Sequence, residues 1–169
     1  MSRATEFLAH ILGELYTIWL FTLSDLKTIA IPQSIFGTLG GLSQARLTHG
    51  DRPAGQVLQR APLVALWVWI MLCPFNIDNQ RRPGGIEEDR MNRPWRPLPT
   101  KRITPEQALG LQVMLHVLAL LYSLSVGCTY YWVSGIVLGW LYNEVGLADR
   151  SWVGKNAVNA MGYVTFASE

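Results

Sequence analysis

Asn76–Ile103 reads NIDNQRRPGGIEEDRMNRPWRPLPTKRI, a polar island between long apolar stretches. It holds seven of the fourteen basic residues (Arg81, Arg82, Arg90, Arg93, Arg96, Lys101 and Arg102), together with Asp78, Glu87, Glu88 and Asp89. Charge and amide groups at this density, carried on apolar flanks, are costly unless they face water or a ligand. The ligand that suits mixed carboxylates and basic groups is a divalent cation bridging an anionic group such as a diphosphate. Carboxylates hold the cation, and arginines and lysines meet phosphate oxygens. The competing reading is a solvated loop whose acids pair with Arg90 and Arg93.

The rest of the chain sets this island in a membrane. Of 169 residues, half are apolar, only 15% are charged and seven are tryptophan. A soluble domain usually carries about 25% charged residues. A formal net charge of +2 gives no nucleic-acid reading. The length allows one domain, 1–169, in which residues 76–103 form a polar loop between spans. Cys73 and Cys128 lie in apolar sequence and read as thiols, not as a disulfide. His10, His49 and His116 are scattered, with no metal-type spacing. A cluster of basic residues in a membrane protein marks the cytoplasmic side, so the loop is expected there.

Outward from the island, Ala61–Phe75 is apolar for 15 residues, short of the roughly 20 a span needs. It spans if the helix runs on through Asn76–Gln80 into a polar cavity inside the bundle. Upstream, Phe7–Leu23 fits a helix interrupted by Glu14, with no small-residue cleavage site to make it a secretory signal. A break is expected at Ser24–Lys27, a kink at Pro32, and close helix approach at Gly37, Gly40 and Gly41. Ser43–Arg60 reads as a polar loop with a turn at Asp51-Arg52-Pro53.

Downstream, Ile86–Met91 has room for a turn or two of helix before Pro94 forces extended backbone. There Glu88 and Asn92 share a face, with Asp89 three residues from Asn92. Arg96, between Pro94 and Pro97, is held on stiff backbone: either a diphosphate clamp or an interfacial arginine stacked on Trp95. Thr104-Pro105-Glu106-Gln107 is a helix start with a capping box. The helix it opens reaches about Cys128 and carries Gln112 and His116 as a thin polar stripe. That stripe either lines a cavity or forms an interhelical hydrogen bond. Thr129–Ala148 is expected to span again, with Asn143-Glu144 facing substrate or returning to water, and Ser151–Glu169 to open an amphipathic helix. On that last helix Lys155 and Asn159 share a face.

The segment EEDRMNRPWRPLP, with Asn79-Gln80 before it, resembles the first aspartate-rich motif of the UbiA superfamily of intramembrane prenyltransferases. It is closest to the fungal branch, which carries an NQ, an acidic pair and N-[KR]-P-x-R-P. The matching residues are Asn79, Gln80, Glu88, Asp89, Asn92, Pro94, Arg96, Pro97 and Pro99. Two departures stand out: Gly85 occupies the position of a family aspartate, and RRPGGI separates the NQ from the acids.

The resemblance implies an all-α, multi-span transmembrane helical bundle, present here as roughly its first half. It implies an enzyme that uses Mg2+ to ionise a prenyl diphosphate and transfers the prenyl group to an acceptor. Fungal members that cyclise the prenyl chain into a terpene supply the alternative. Glu88 and Asp89 are then the catalytic metal ligands, with Asn79 as a third. Asn79, Asn92, Arg96 and Lys155 bind substrate. The superfamily's second acidic motif has no counterpart after Asp89. A single motif leaves three further readings: a truncated inactive member, self-association of two copies, or a basic loop holding anionic lipid headgroups.

Overall fold

A computed structural model describes residues 2–47 and 53–167. The elements are α1 (Arg3–Asp25), a π turn (Leu26–Ala30), α2 (Ile31–Leu47), α3 (Ala54–Gln80), α4 (Pro83–Asn92), α5 (Pro105–Val126), α6 (Thr129–Asn143), α7 (Leu147–Arg150) and α8 (Trp152–Ala167). The described residues contain no strand.

Three apolar helical stretches are long enough to cross a bilayer: Arg3–Gln44, Ala54–Gln80 and Pro105–Val126. The first contains the break expected at Ser24–Lys27, which turns out to be the π turn. There the Ile31 N–H reaches back to the Leu26 carbonyl. This wider spacing falls immediately before Pro32, which has no N–H to donate, so the helix continues where a gap was expected. The polar loop expected at Ser43–Arg60 is likewise shorter. Helix α2 runs to Leu47, and α3 starts at Ala54 behind extended Pro53. Asp51 and Arg52 of the expected turn lie outside the described residues.

Helix α5 starts as its sequence dictates. The Thr104 hydroxyl accepts from the Gln107 N–H, the Gln107 amide accepts from the Thr104 N–H, and Gly127 ends the helix in the left-handed region. The span expected at Thr129–Ala148 is divided. Helix α6 stops at Asn143, and Gly146 takes a φ of 71° before α7. Its 15 residues reach about 22 Å, against the ~30 Å of a bilayer's hydrocarbon core.

Helix α3 is central and packs chiefly against α5 and α2. Its inward face puts Trp67, Val68, Met71 and Leu72 against Ala30 and Ala119, and Cys73 and Ile77 against Phe21 and Leu115. Cys73 and Cys128 are thiols, as read from the sequence. Hydrogen bonds tie the helices across this core, from Trp67 Nε1 to Ser123 Oγ at 2.8 Å and from Trp69 Nε1 to Thr22 Oγ1 at 3.0 Å. Leu109, Val113, Val117, Leu121 and Leu124 of α5 point outward and are exposed. In a bilayer that stripe meets lipid.

Of the three glycines expected to allow close helix approach, Gly41 does, while Gly37 would carry a Cβ in ordinary contact. A Cβ at Gly41 would sit 3.1 Å from Val57 Cγ1, one at Gly37 would sit 3.5 Å from the Ala167 carbonyl oxygen, and Gly40 has nothing within 4 Å.

Candidate functional site

The helix α3 runs on through Asn76–Gln80, as a span ending in a polar cavity requires. Asn76, Ile77, Asp78 and Gln80 are buried, while Asn79 is exposed. Pro74 sits inside this helix and removes one backbone donor just before the polar residues. Gln80 Nε2 donates to the Phe21 carbonyl at 2.8 Å, which pins the end of α3 to α1.

Beside the end of α3 lies a cavity of about 270 Å³, walled by α3, α5, α6 and α8. Phe75, Trp140, Tyr142, Tyr163 and Phe166 supply aromatic surface, and Asp78, Arg81, Gln112, His116, Asn143 and Glu144 supply polar groups. Ion pairs link the helix ends here. Arg81 donates to Asp78 at 2.8 Å and through Nε to Gln112 Oε1 at 2.9 Å. Arg82 bridges Asp78 at 3.5 Å and Glu144 at 2.6 Å. Two polar atoms at the cavity, His116 Nδ1 and Asn143 Nδ2, are buried without a hydrogen-bond partner. A buried polar atom in that state is costly, and a ligand in the cavity can meet it. The polar stripe read on α5 therefore divides. Gln112 makes an interhelical hydrogen bond and also lines the cavity, whereas His116 lines it with Nδ1 unpaired.

The acidic motif occupies α4, which begins at Pro83, three residues earlier than expected because proline suits the first helical position. Asp89 is buried, and both of its carboxylate oxygens accept from Arg96 Nη1 at 2.9 Å. Arg96 is equally buried, so the pair fastens α4 to the Pro94–Pro99 turn. Carboxylate oxygens that each accept one such bond keep further lone pairs. Glu88 and Asn92 are exposed, and Lys155 is exposed on α8 outside the cavity lining. Gly85 explains how α4 docks. A Cβ there would lie 2.6 Å from the Asn79 carbonyl oxygen, so the helix bearing Glu88 and Asp89 abuts the end of α3 at that residue.

Residues 35–167 match the UbiA prenyltransferase family. The chain belongs to that family. It is an integral membrane protein with an all-α helical bundle. Among curated relatives, it is 41% identical over 100 residues to the fumagillin beta-trans-bergamotene synthase of Aspergillus fumigatus, a match covering 57% of this chain and 32% of that protein. It is 28% identical over 151 residues to the somaliensene A/B synthase of Streptomyces somaliensis, covering 89% and 48%. A diterpene cyclase of Hericium erinaceus is 30% identical over 100 residues, covering 59% and 29%. The chain thus spans between about a third and a half of the length of these relatives. No solved structure matches.

Of the residues that the motif singles out in this UbiA-family chain, Asp89 and Arg96 form one buried pair, Asn79, Glu88 and Asn92 are exposed, and none of them lines the cavity. Asp78, Arg81 and His116 line it instead. The signal for Asp78 and Arg81 was their position on the continued α3. For His116 it was the four-residue spacing from Gln112.

Proposed function

We propose that this chain supplies one half of the site in which a UbiA-type enzyme ionises a prenyl diphosphate and lets the resulting cation cyclise. The carrying observation is the cavity, which is apolar with five aromatic side chains along its wall and polar at the end where α3, α5 and α6 meet. A prenyl tail belongs against the aromatic wall, whose ring faces stabilise positive charge on carbon. The diphosphate belongs at the polar end, where Arg81 and Arg82 carry positive charge and the Asn143 amide can donate. The similarity to three proteins named as a synthase or cyclase supports cyclisation over transfer.

The donor set suits Mg2+ held jointly with phosphate oxygens. That ion takes one or two carboxylates and completes its shell with substrate and water. Glu88 offers an exposed carboxylate, Asp89 the lone pairs that Arg96 leaves, and the exposed Asn79 an amide oxygen. Among the described residues no three His, Cys, Asp or Glu side chains converge, so these donors form no protein-only cage. Glu88, Asp89 and Asn79 would hold the ion, and its chemistry would be that of a Lewis acid toward the leaving diphosphate. The protein's own part is positional. Asp89–Arg96 holds α4 in place, Gln80 anchors α3, and the apolar wall keeps water from the cation. Asn92 lies on the Glu88 face of α4 and orients phosphate, while exposed Lys155 is a more distant cation for it. The basic loop faces the cytoplasm.

Transfer to an acceptor is the second reading, favoured by the family's description as prenyltransferases. Incubating membranes that express the chain with labelled farnesyl and geranylgeranyl diphosphate separates the two. A hydrocarbon formed without added acceptor is the expected result. A labelled product that appears only with an aromatic acceptor would replace cyclisation by transfer.

A further inference from the structure

Cyclisation of a prenyl cation to an olefin ends when a proton leaves a carbon next to the charge, and that proton needs a base. Three residues in the cavity lining carry basic side chains of this kind: Asp78, Glu144 and His116. Asp78 is held by Arg81 and Arg82, and Glu144 by Arg82, so both carboxylates are already compensated by positive charge. His116 is in no ion pair among the described residues, and its Nδ1 is buried without a hydrogen-bond partner.

Its depth also suits the task. Gln112 accepts from Arg81 at the polar end. His116 lies four residues further along α5, about 6 Å deeper into the bundle. That is the distance of a few carbon atoms from the place proposed for the diphosphate. On that helix rise His116 lines the cavity one turn deeper than Gln112, beside the wall proposed for the prenyl chain.

We propose that His116 is a catalytic residue, the base that takes the terminating proton. This rests on the ionisation reading above. In the step, a C–H bond adjacent to the cationic carbon breaks and its electron pair becomes the new C=C bond. The proton passes to the lone pair of an imidazole nitrogen. The imidazolium so formed shares the cavity with the Asp78 and Glu144 carboxylates, and it returns the proton to the released diphosphate or to water at the polar end. No oxidant or further reactant is needed, and the product is an olefin.

The test compares the full chain in membranes with His116→Phe and His116→Gln, using farnesyl and geranylgeranyl diphosphate in the presence of Mg2+. Released diphosphate and the hydrocarbon profile are measured together. Released diphosphate is the reference against which olefin is counted, so a change in substrate binding by the variants cancels from the ratio. The wild-type olefin per diphosphate released should fall at least tenfold, given the roughly 10²–10⁴-fold that a positioned base contributes. Alcohols from water capture, or olefins from earlier cations, should replace it. The Gln variant keeps polarity and similar bulk without a base, so it covers the case in which Phe fails to accumulate. An unchanged olefin profile per diphosphate released, in either variant, overturns this inference alone. Absence of release from wild type overturns the ionisation reading and this inference with it.

Discussion

Arg96 and Asp89 show how one pair can be read from the sequence in its parts but not in its relation. The alternation of proline and arginine marks Arg96 as held on stiff backbone, and the acidic pair marks Asp89 as chemically engaged. Burial then joins them, since Asp89 points inward while its neighbour Glu88 points out. No periodicity over so short a helix distinguishes the two acids. Because both members are nearly excluded from solvent, removing one leaves a buried charge. Arg96→Ala is expected to cost about 3–5 kcal/mol, seen as a marked loss of thermal stability in detergent. A melting curve like that of wild type would show that the pair is not buried in solution. The Arg82–Glu144 pair is the contrast, with side chains 32% and 51% exposed. Glu144→Gln should shift stability by no more than about 1 kcal/mol in the same assay, despite the shorter contact.

At the scale of elements, the sequence states most of what the structure contains. The capping box at Thr104–Gln107, the continuation of α3 into polar sequence, and the apolar stripe of α5 each follow from residue types at fixed spacing. Less legible were the places where backbone hydrogen bonding adapts. A π turn carries the first helix past Pro32, and Gly146 divides the expected last full span. The cavity was the least legible feature, because Asp78, His116 and Asn143 come from three helices whose mutual rotation no linear pattern encodes. Gly85 carries an element-scale prediction. Since a Cβ would meet the Asn79 backbone oxygen at 2.6 Å, Gly85→Ala must push α4 off the end of α3. The expected cost is about 1–3 kcal/mol, typical of overpacking, together with a higher Mg2+ concentration for half-maximal activity as Glu88 moves. Metal titration of activity in Gly85→Ala membranes, set against wild type, checks this. An unchanged Mg2+ requirement would contradict the docking of α4 at that residue.

For the whole molecule, three long apolar helices and an outward hydrophobic stripe require a bilayer, so the protein should stay in the pellet under alkaline carbonate extraction. Its loop should label from the cytoplasmic face. A cysteine placed at Met91, 84% exposed at the end of α4, gives an accessible reporter. Labelling from the opposite face alone would reverse the orientation. The acidic helix and the cavity converge on one claim, that the end of α3 is where a prenyl diphosphate is opened. Diphosphate release from farnesyl and geranylgeranyl diphosphate, by membranes carrying this chain, tests it most directly. Release should require Mg2+, stop with chelator, and be abolished by the Glu88→Gln, Asp89→Asn double change in protein that still accumulates. Release that persists undiminished in the double variant, or none above empty membranes from wild type, would contradict the account.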